Sequence, residues 1–187
     1  MRHAGRRHGR GHRLDRPHPG GGGPLSITGP LAEPAKEILA RYPPGRGRSA
    51  VMPLLRLAEE RDGWVSPEAI SEIGAILGLS SAEVLAVASF YSMFHLKPKG
   101  RHVISVCHNL SCNLMGAERV IEHLEDTLGV GSEGETTADG AFTLERAECL
   151  AACDSAPCLQ VDYDALHARV TPEGAEALVE ELRTVHP

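Results

Sequence analysis

His102-Val103-Ile104-Ser105-Val106-Cys107 is the stretch on which the fold turns, and Cys112 follows it after four residues. The β-branched run predicts a strand over His102–Val106 that ends at Cys107, with Asn109, Leu110, Ser111 and Cys112 in a short loop beyond it. A second stretch repeats the arrangement. Phe142-Thr143-Leu144-Glu145-Arg146-Ala147-Glu148 reads as a strand running into Cys149, and Cys153 lies in the loop that follows. Adjacent parallel strands release their loops at one edge of the sheet. Two such strands side by side would therefore bring four thiols around one point.

The pattern continues outward from this pair. Leu114, Ala117, Val120, Ile121, Leu124 and Leu128 share one helical face, closed by Gly129. Gly131–Gly140 is polar and reads as a loop. Cys158–Asp162 and His167–Val170 read as a hairpin around Asp164-Ala165. Thr171-Pro172-Glu173 opens a last helix faced by Ala175, Leu178, Val179 and Leu182. Strand–helix–strand–strand–strand–helix is the order of a small α/β domain of thioredoxin-like type.

Upstream, Leu31 to Ser89 is helical in pattern. Ser49 is placed to cap a helix faced by Val51, Leu54, Leu55 and Ala58, with Gly63 as its stop. Ser66-Pro67-Glu68 starts another helix, carrying Ile70, Ile73 and Leu77 and ended by Gly78. Ser80 and Glu83 have capping-box spacing ahead of Val84, Leu85 and Ala88. Lys97-Pro98-Lys99-Gly100 breaks the pattern. Residues 1–24 are Gly, Arg, His and Pro with almost nothing apolar, a composition expected of a disordered tail, although His3, His8, His12 and His18 are conceivable metal ligands. The expected division is a tail over 1–24, a helical domain over 25–98 and an α/β domain over 99–187.

The net charge of −6 hides a split. By residue count, 1–24 carry about +5, 25–99 are balanced, and 100–187, which hold all five cysteines, carry about −11. Such a surface repels nucleic acid and suits a partner with a positive face. Aromatic residues make up only 4%, which disfavours stacking on single-stranded bases. No apolar run approaches the length of a membrane span, and the first 24 residues lack the apolar stretch of a secretory signal. A reducing compartment is therefore expected, where cysteines serve as metal ligands more readily than as disulfides.

The cysteines are spaced Cys107-x4-Cys112 and Cys149-x3-Cys153, with 36 residues between the pairs. Four soft thiolates converging from loops are what an iron–sulfur cluster needs. Structural zinc favours a tighter Cys-x2-Cys knuckle, which is absent, and the same absence disfavours thioredoxin-style disulfide chemistry. Zinc and uncoordinated thiols remain the alternatives. Cys153-x4-Cys158 repeats the first spacing, so spacing does not decide which two of Cys149, Cys153 and Cys158 are ligands. Cys158 opens an apolar stretch and reads as a small buried residue of a strand. His108 reads as a neighbour of the ligands or a solvent-facing residue.

Four stretches resemble a known family. They are Gly63-Trp64-Val65-Ser66-Pro67-Glu68-Ala69-Ile70; Glu83-Val84 through Ala88-Ser89-Phe90-Tyr91-Ser92-Met93-Phe94; Val106-Cys107 through Ser111-Cys112 and Gly116-Ala117; and Glu148-Cys149-Leu150-Ala151-Ala152-Cys153-Asp154-Ser155-Ala156-Pro157. In this order they resemble the 24-kDa-type [2Fe-2S] subunit of NADH:quinone oxidoreductase, respiratory complex I, across about residues 33–185. The family usually has Gly where Ala151 stands and an apolar residue in place of Cys158. The resemblance implies a [2Fe-2S] cluster on Cys107, Cys112, Cys149 and Cys153. It also implies a thioredoxin-like ferredoxin domain behind a helical bundle, docked on the flavoprotein subunit that binds NADH and FMN, on the cytoplasmic side of the membrane. Phe90, Tyr91, Met93 and Phe94 read as core.

One-electron transfer follows, with no active site on this chain. No phosphate loop, Rossmann fingerprint or nucleophile–base set occurs in it. Each unscreened negative charge about 10 Å from a cluster disfavours its reduction by roughly 1–2 kcal/mol at an effective dielectric near 20. A low-potential cluster is expected in so acidic a segment. The alternatives are the equivalent diaphorase subunit of an NAD-linked hydrogenase or formate dehydrogenase, and a structural zinc module.

Overall fold

The computed structural model describes residues 29–185. The basic segment 1–24 and its histidines lie outside the described residues. Four helices come first: α1 (Ala32–Leu39), α2 (Val51–Asp62), α3 (Pro67–Leu77) and α4 (Ser81–Phe90). Local chemistry sets their ends. Ser66 Oγ accepts from Ala69 N, Ser80 and Glu83 form the reciprocal capping box, and Gly63 and Gly78 close α2 and α3 in the left-handed conformation. Caps of this kind contribute about 0.5–2 kcal/mol each.

Ser49 does not cap α2. A 3-10 turn over Gly47–Ala50 leads into the helix, and Ser49 N is already donated to Arg46 O. Leu54, Leu55, Ala58, Ile70, Ile73, Ile76, Val84 and Ala88 close on one apolar core. Among the described residues no single helix is long and apolar enough to cross a membrane. The α3–α4 pair has the composition but bends by 117°, with much of its apolar surface in this core.

Phe90, Tyr91 and Met93 are not core, contrary to the sequence expectation. Phe90 is 79% exposed, and Tyr91 and Met93 are exposed as well. Val84 and Ala88 define the inward face of α4, and Phe90 lies nearly opposite that face. Tyr91 then turns extended, and Phe94 alone folds inward, its N–H donating to Tyr91 O.

The second half is a five-stranded sheet: β1 (His102–Cys107), β2 (Glu133–Thr136), β3 (Phe142–Ala147), β4 (Leu159–Val161) and β5 (Ala165–His167), in the order β2-β3-β1-β4-β5. Helices α5 (Leu110–Leu114), α6 (Ala117–Leu128) and α7 (Pro172–Val185) complete it. β1 and β3 are parallel, from His102↔Phe142 to Cys107↔Ala147, and the other pairings are antiparallel. Ile104, Val106, Phe142, Leu144, Leu159 and Val161 form one sheet face. They pack under Val120, Ile121 and Leu124 of α6 and Val179 of α7.

Three expectations shift in register or type. The polar stretch after Gly131 contains the edge strand β2, whose pairing with β3 is irregular between Glu133 and Glu135. The long helix expected from Leu114 is broken at Met115-Gly116 into α5 and α6. The hairpin turns at 162–164, with Asp162 and Tyr163 at positive φ, so its second strand comes earlier than expected.

The opposite sheet face meets the helical half through polar groups. Glu59 of α2 is only 3% exposed, and its Oε1 accepts from His95 Nδ1 at 2.9 Å and from His95 N at 3.1 Å. Tyr163 Oη lies 2.9 Å from His95 Nε2 and donates to Glu145 Oε1 at 2.8 Å, and Ser105 Oγ donates to the same oxygen at 2.6 Å. Lys99 stands 3.5 Å from Glu59. Burial works against every charge here. Even so, the accepting carboxylates of Glu145 and Glu59 hold His95 above its ordinary value, and the His95 donors hold Glu59 and Glu145 below theirs.

The sign of the pH dependence follows. A raised histidine contributes stability fully below its ordinary value of 6.5 and loses it as pH rises through the folded value. Depressed carboxylates contribute above their ordinary 4.5 and lose it as pH falls through their folded values. In urea unfolding, His95→Ala should cost about 2–4 kcal/mol, because it takes the imidazole donor from buried Glu59 and leaves it the backbone N–H of residue 95 and Lys99. The gap from wild type should be widest between pH 4.5 and 6.5 and narrow on both sides. A gap that keeps widening above pH 8 would contradict this.

Candidate metal centre

Because β1 and β3 are parallel and in register at Cys107↔Ala147, the loops that follow them leave the sheet together. β4 is antiparallel to β1, with Val106 opposite Leu159, so β4 begins at that same edge. Cys107 N donates to Cys158 O at 3.1 Å. Cys153 lines a cavity shared with Met115 and Gly116 of the first loop. One edge thus collects all five cysteines.

Asn109 joins the two loops. Its Oδ1 accepts from Leu110 N at 2.7 Å at the start of α5, and its Nδ2 donates to Glu148 O at 2.9 Å. Gly116, at φ 100°, turns the chain from α5 into α6, and a Cβ there would press on the Arg119 guanidinium. Arg146, near the end of β3, forks onto Glu118 of α6, with Nη1–Oε2 at 3.1 Å. Strand end, loop and helix start are thereby tied beside the thiols.

The sulfurs divide into two groups. Cys107, Cys112 and Cys158 are 3%, 2% and 1% exposed, and their Sγ atoms all lie within 4.8 Å of one another. Cys112 Sγ and Cys158 Sγ are 3.7 Å apart. Cys149 and Cys153 are exposed and stand outside this trio. Of the four cysteines expected as ligands, then, two are brought together in the buried group, and Cys158 makes its third member. The repeated x4 spacing from Cys153 to Cys158 is the one sequence signal that pointed there. His108 stands apart, partly exposed, 3.7 Å from Glu148.

Burial raises the Cys107 thiol, but the N–H groups of Asn109 and Leu150, with the neighbouring Cys112 and Cys158 thiols, outweigh burial and hold it below its ordinary value. Cys112 is raised by burial and by the neighbouring Cys107. Burial pushes Cys158 up to about 12. Leu150 belongs to the second loop, so the two loops together supply the donors to the Cys107 sulfur. Ala151 N donates to Cys149 Sγ at 3.3 Å. This is a soft donor set with N–H groups turned toward sulfur, lined by Ala117, Ala152 and Ala156. It fits a thiolate-bound iron–sulfur cluster and offers a hard cation little.

The chain belongs to the thioredoxin-like [2Fe-2S] ferredoxin family, whose profile matches residues 35–183. It is 44% identical over 148 residues to NADH-quinone oxidoreductase subunit 2 of Thermus thermophilus, which covers 79% of this chain and 81% of that one. It is 42% identical over 153 residues to an NADH-quinone oxidoreductase subunit of Rhizobium meliloti, with 82% and 89% covered. Against an NADH-quinone oxidoreductase subunit of Mycobacterium tuberculosis the identity is 42% over 164 residues, and the match spans 64% of that longer protein. A chain of an NAD+-reducing [NiFe]-hydrogenase in its H2-reduced state shares the fold, with a TM-score of 0.63 at 23% identity, 72% of this chain and 22% of that chain being covered.

Ala151 has φ 55°, a left-handed conformation, between Cys149 and Cys153. A Cβ in that conformation costs roughly 1–2 kcal/mol, and glycine returns part of the relief as entropy lost on folding. Ala151→Gly should raise the stability of the full chain by about 0.5–1 kcal/mol in chemical unfolding. A loss of stability would show that the methyl group packs more than it strains.

Proposed function

We propose that Cys107, Cys112, Cys149 and Cys153 hold one [2Fe-2S] cluster and that the chain is the electron-transfer subunit of an NADH:quinone oxidoreductase. The observation that carries this reading is the meeting of both cysteine loops at one sheet edge, bridged by Asn109 and lined with small apolar side chains. Relatives over 40% identical, named as subunits of that oxidoreductase, support the same assignment.

The bound cluster would supply a site that takes up and releases single electrons, with no bond made to substrate. This chain's residues do the rest. Four thiolates bind, and the N–H groups of Asn109, Leu150 and Ala151 offset negative charge on sulfur. Ala117, Ala152 and Ala156 restrict water. The acidic surface of the sheet half disfavours added charge, which keeps the potential low.

Electron exchange requires a partner near this edge. The proposed partner is the flavoprotein subunit that binds NADH and FMN, resting on the rim made by Leu110, Leu114 and Met115, which are largely exposed beside Cys112. The chain then has no active site of its own and sits in the peripheral arm, on the cytoplasmic side of the membrane. Two separate apolar cores support the proposed division into a helical part over 25–98 and a ferredoxin part over 99–187. A diaphorase subunit of a hydrogenase is the second reading, favoured only by the shared fold at low identity.

The ligand set is tested with single Cys→Ser variants of the anaerobically purified full chain. Ser at 107, 112, 149 or 153 should each abolish or strongly reduce bound iron and the visible absorption. Full iron loading in Cys149→Ser or Cys153→Ser would remove that residue from the ligand set. Recovery of the tagged chain with a nickel subunit, and without quinone-reducing partners, would replace the first reading with the second.

A further inference from the structure

Cys158 is a fifth thiol held at the cysteine edge by the fold itself. The register of β4 against β1 sets residue 158 across from Cys107, and the Cys107 N–H···O bond to Cys158 fixes its backbone. Its side chain is 1% exposed and faces Cys107 and Cys112 among Ala117, Ala152 and Ala156. Its sulfur lies 3.7 Å from Cys112 Sγ, within hydrogen-bond reach, and either could donate; a ligand thiolate at 112 would leave Cys158 as the donor. A thiol that binds no metal is a weak hydrogen-bond donor. A metal-bound thiolate has lone pairs and negative charge to accept with.

We propose that Cys158 is not a ligand but an S–H donor to the Cys112 sulfur, and that this contact raises the reduction potential of the cluster. The inference rests on the proposed ligand set. An added electron increases the negative charge on the ligand sulfurs, so the S–H···S contact is stronger in the reduced form than in the oxidised one. Hydrogen bonds to the sulfurs are among the established controls of cluster potential. Only the difference between the two forms shifts the equilibrium. Cys158 thus offsets part of the lowering by the acidic surface, acting through Cys112 as a positioning residue.

The test is an EPR-monitored redox titration of the cluster-loaded full chain with Val, Ala or Ser at 158. Cys158→Val and Cys158→Ala remove the donor and should retain the full iron count. Each should weaken reduction by about three- to tenfold, or about 30–60 mV more negative at 59 mV per tenfold for one electron. Cys158→Ser keeps a donor and should stay at or above the wild-type potential. Ala covers the case in which the larger Val does not fit.

An unchanged potential in both apolar variants would overturn the donor role and leave the ligand set standing. A Ser variant that falls as far as Val would assign the effect to packing. Loss of iron in the Val and Ala variants, with iron kept in Cys149→Ser or Cys153→Ser, would make Cys158 a ligand and overturn both readings.

Discussion

The parallel pairing of β1 with β3 is the constraint on which the site depends. Six paired positions run from His102↔Phe142 to Cys107↔Ala147, and that register decides that two loops 36 residues apart in sequence begin side by side. A slip by one residue would exchange the faces of β3, sending Leu144 into the polar network and Glu145 under α6. Burial of Phe142, Leu144, Ile104 and Val106 on one face therefore positions the cysteines. The packing energy lies in the sheet core, and the chemistry lies at its edge.

The other face serves a different purpose. Where Ser105, Thr143 and Glu145 project, the sheet meets α2 and the segment after α4 through His95, Tyr163 and Glu59 rather than through apolar side chains. Buried charges of this kind stabilise less than their Coulomb attraction suggests, since each is stripped of water. They do demand matching partners. The helical half is thus held to the sheet in an orientation set by donor and acceptor positions.

Much of this was legible from local sequence. Ser66, Gly78 and the Ser80–Glu83 pair announced helix ends because caps are decided within one turn of chain. Both cysteine strands were legible for the same reason, each being a short strand-like run that leads into a cysteine. The edge strand β2 was not. Glu133 to Thr136 has no apolar alternation, since this edge strand turns little toward the core. Phe90, Tyr91 and Met93 misled because hydrophobicity does not say which way a helix end points. Glu59 looked like an ordinary surface charge in α2, and only its neighbours in space make it a buried one. At the candidate site, the packing of Cys158 against Cys112 depends on the β4 register, which no spacing rule encodes. The strain at Ala151 was foreshadowed only by the family resemblance, which implies a glycine at that position.

Charge acts at two ranges around the cysteines. The acidic surface of the sheet half disfavours an added electron from a distance and is weakened by salt. Close in, the Asn109 and Leu150 N–H groups aimed at the Cys107 sulfur favour it, as would the proposed Cys158 donor. These loops are proposed to hold a two-iron cluster. The cluster is tested for most directly by EPR of the dithionite-reduced full chain alongside its metal content. Two irons and two acid-labile sulfides per chain are expected, with one spin-half signal that appears only on reduction. One zinc per chain, with no visible absorption and no signal, would contradict a two-iron cluster.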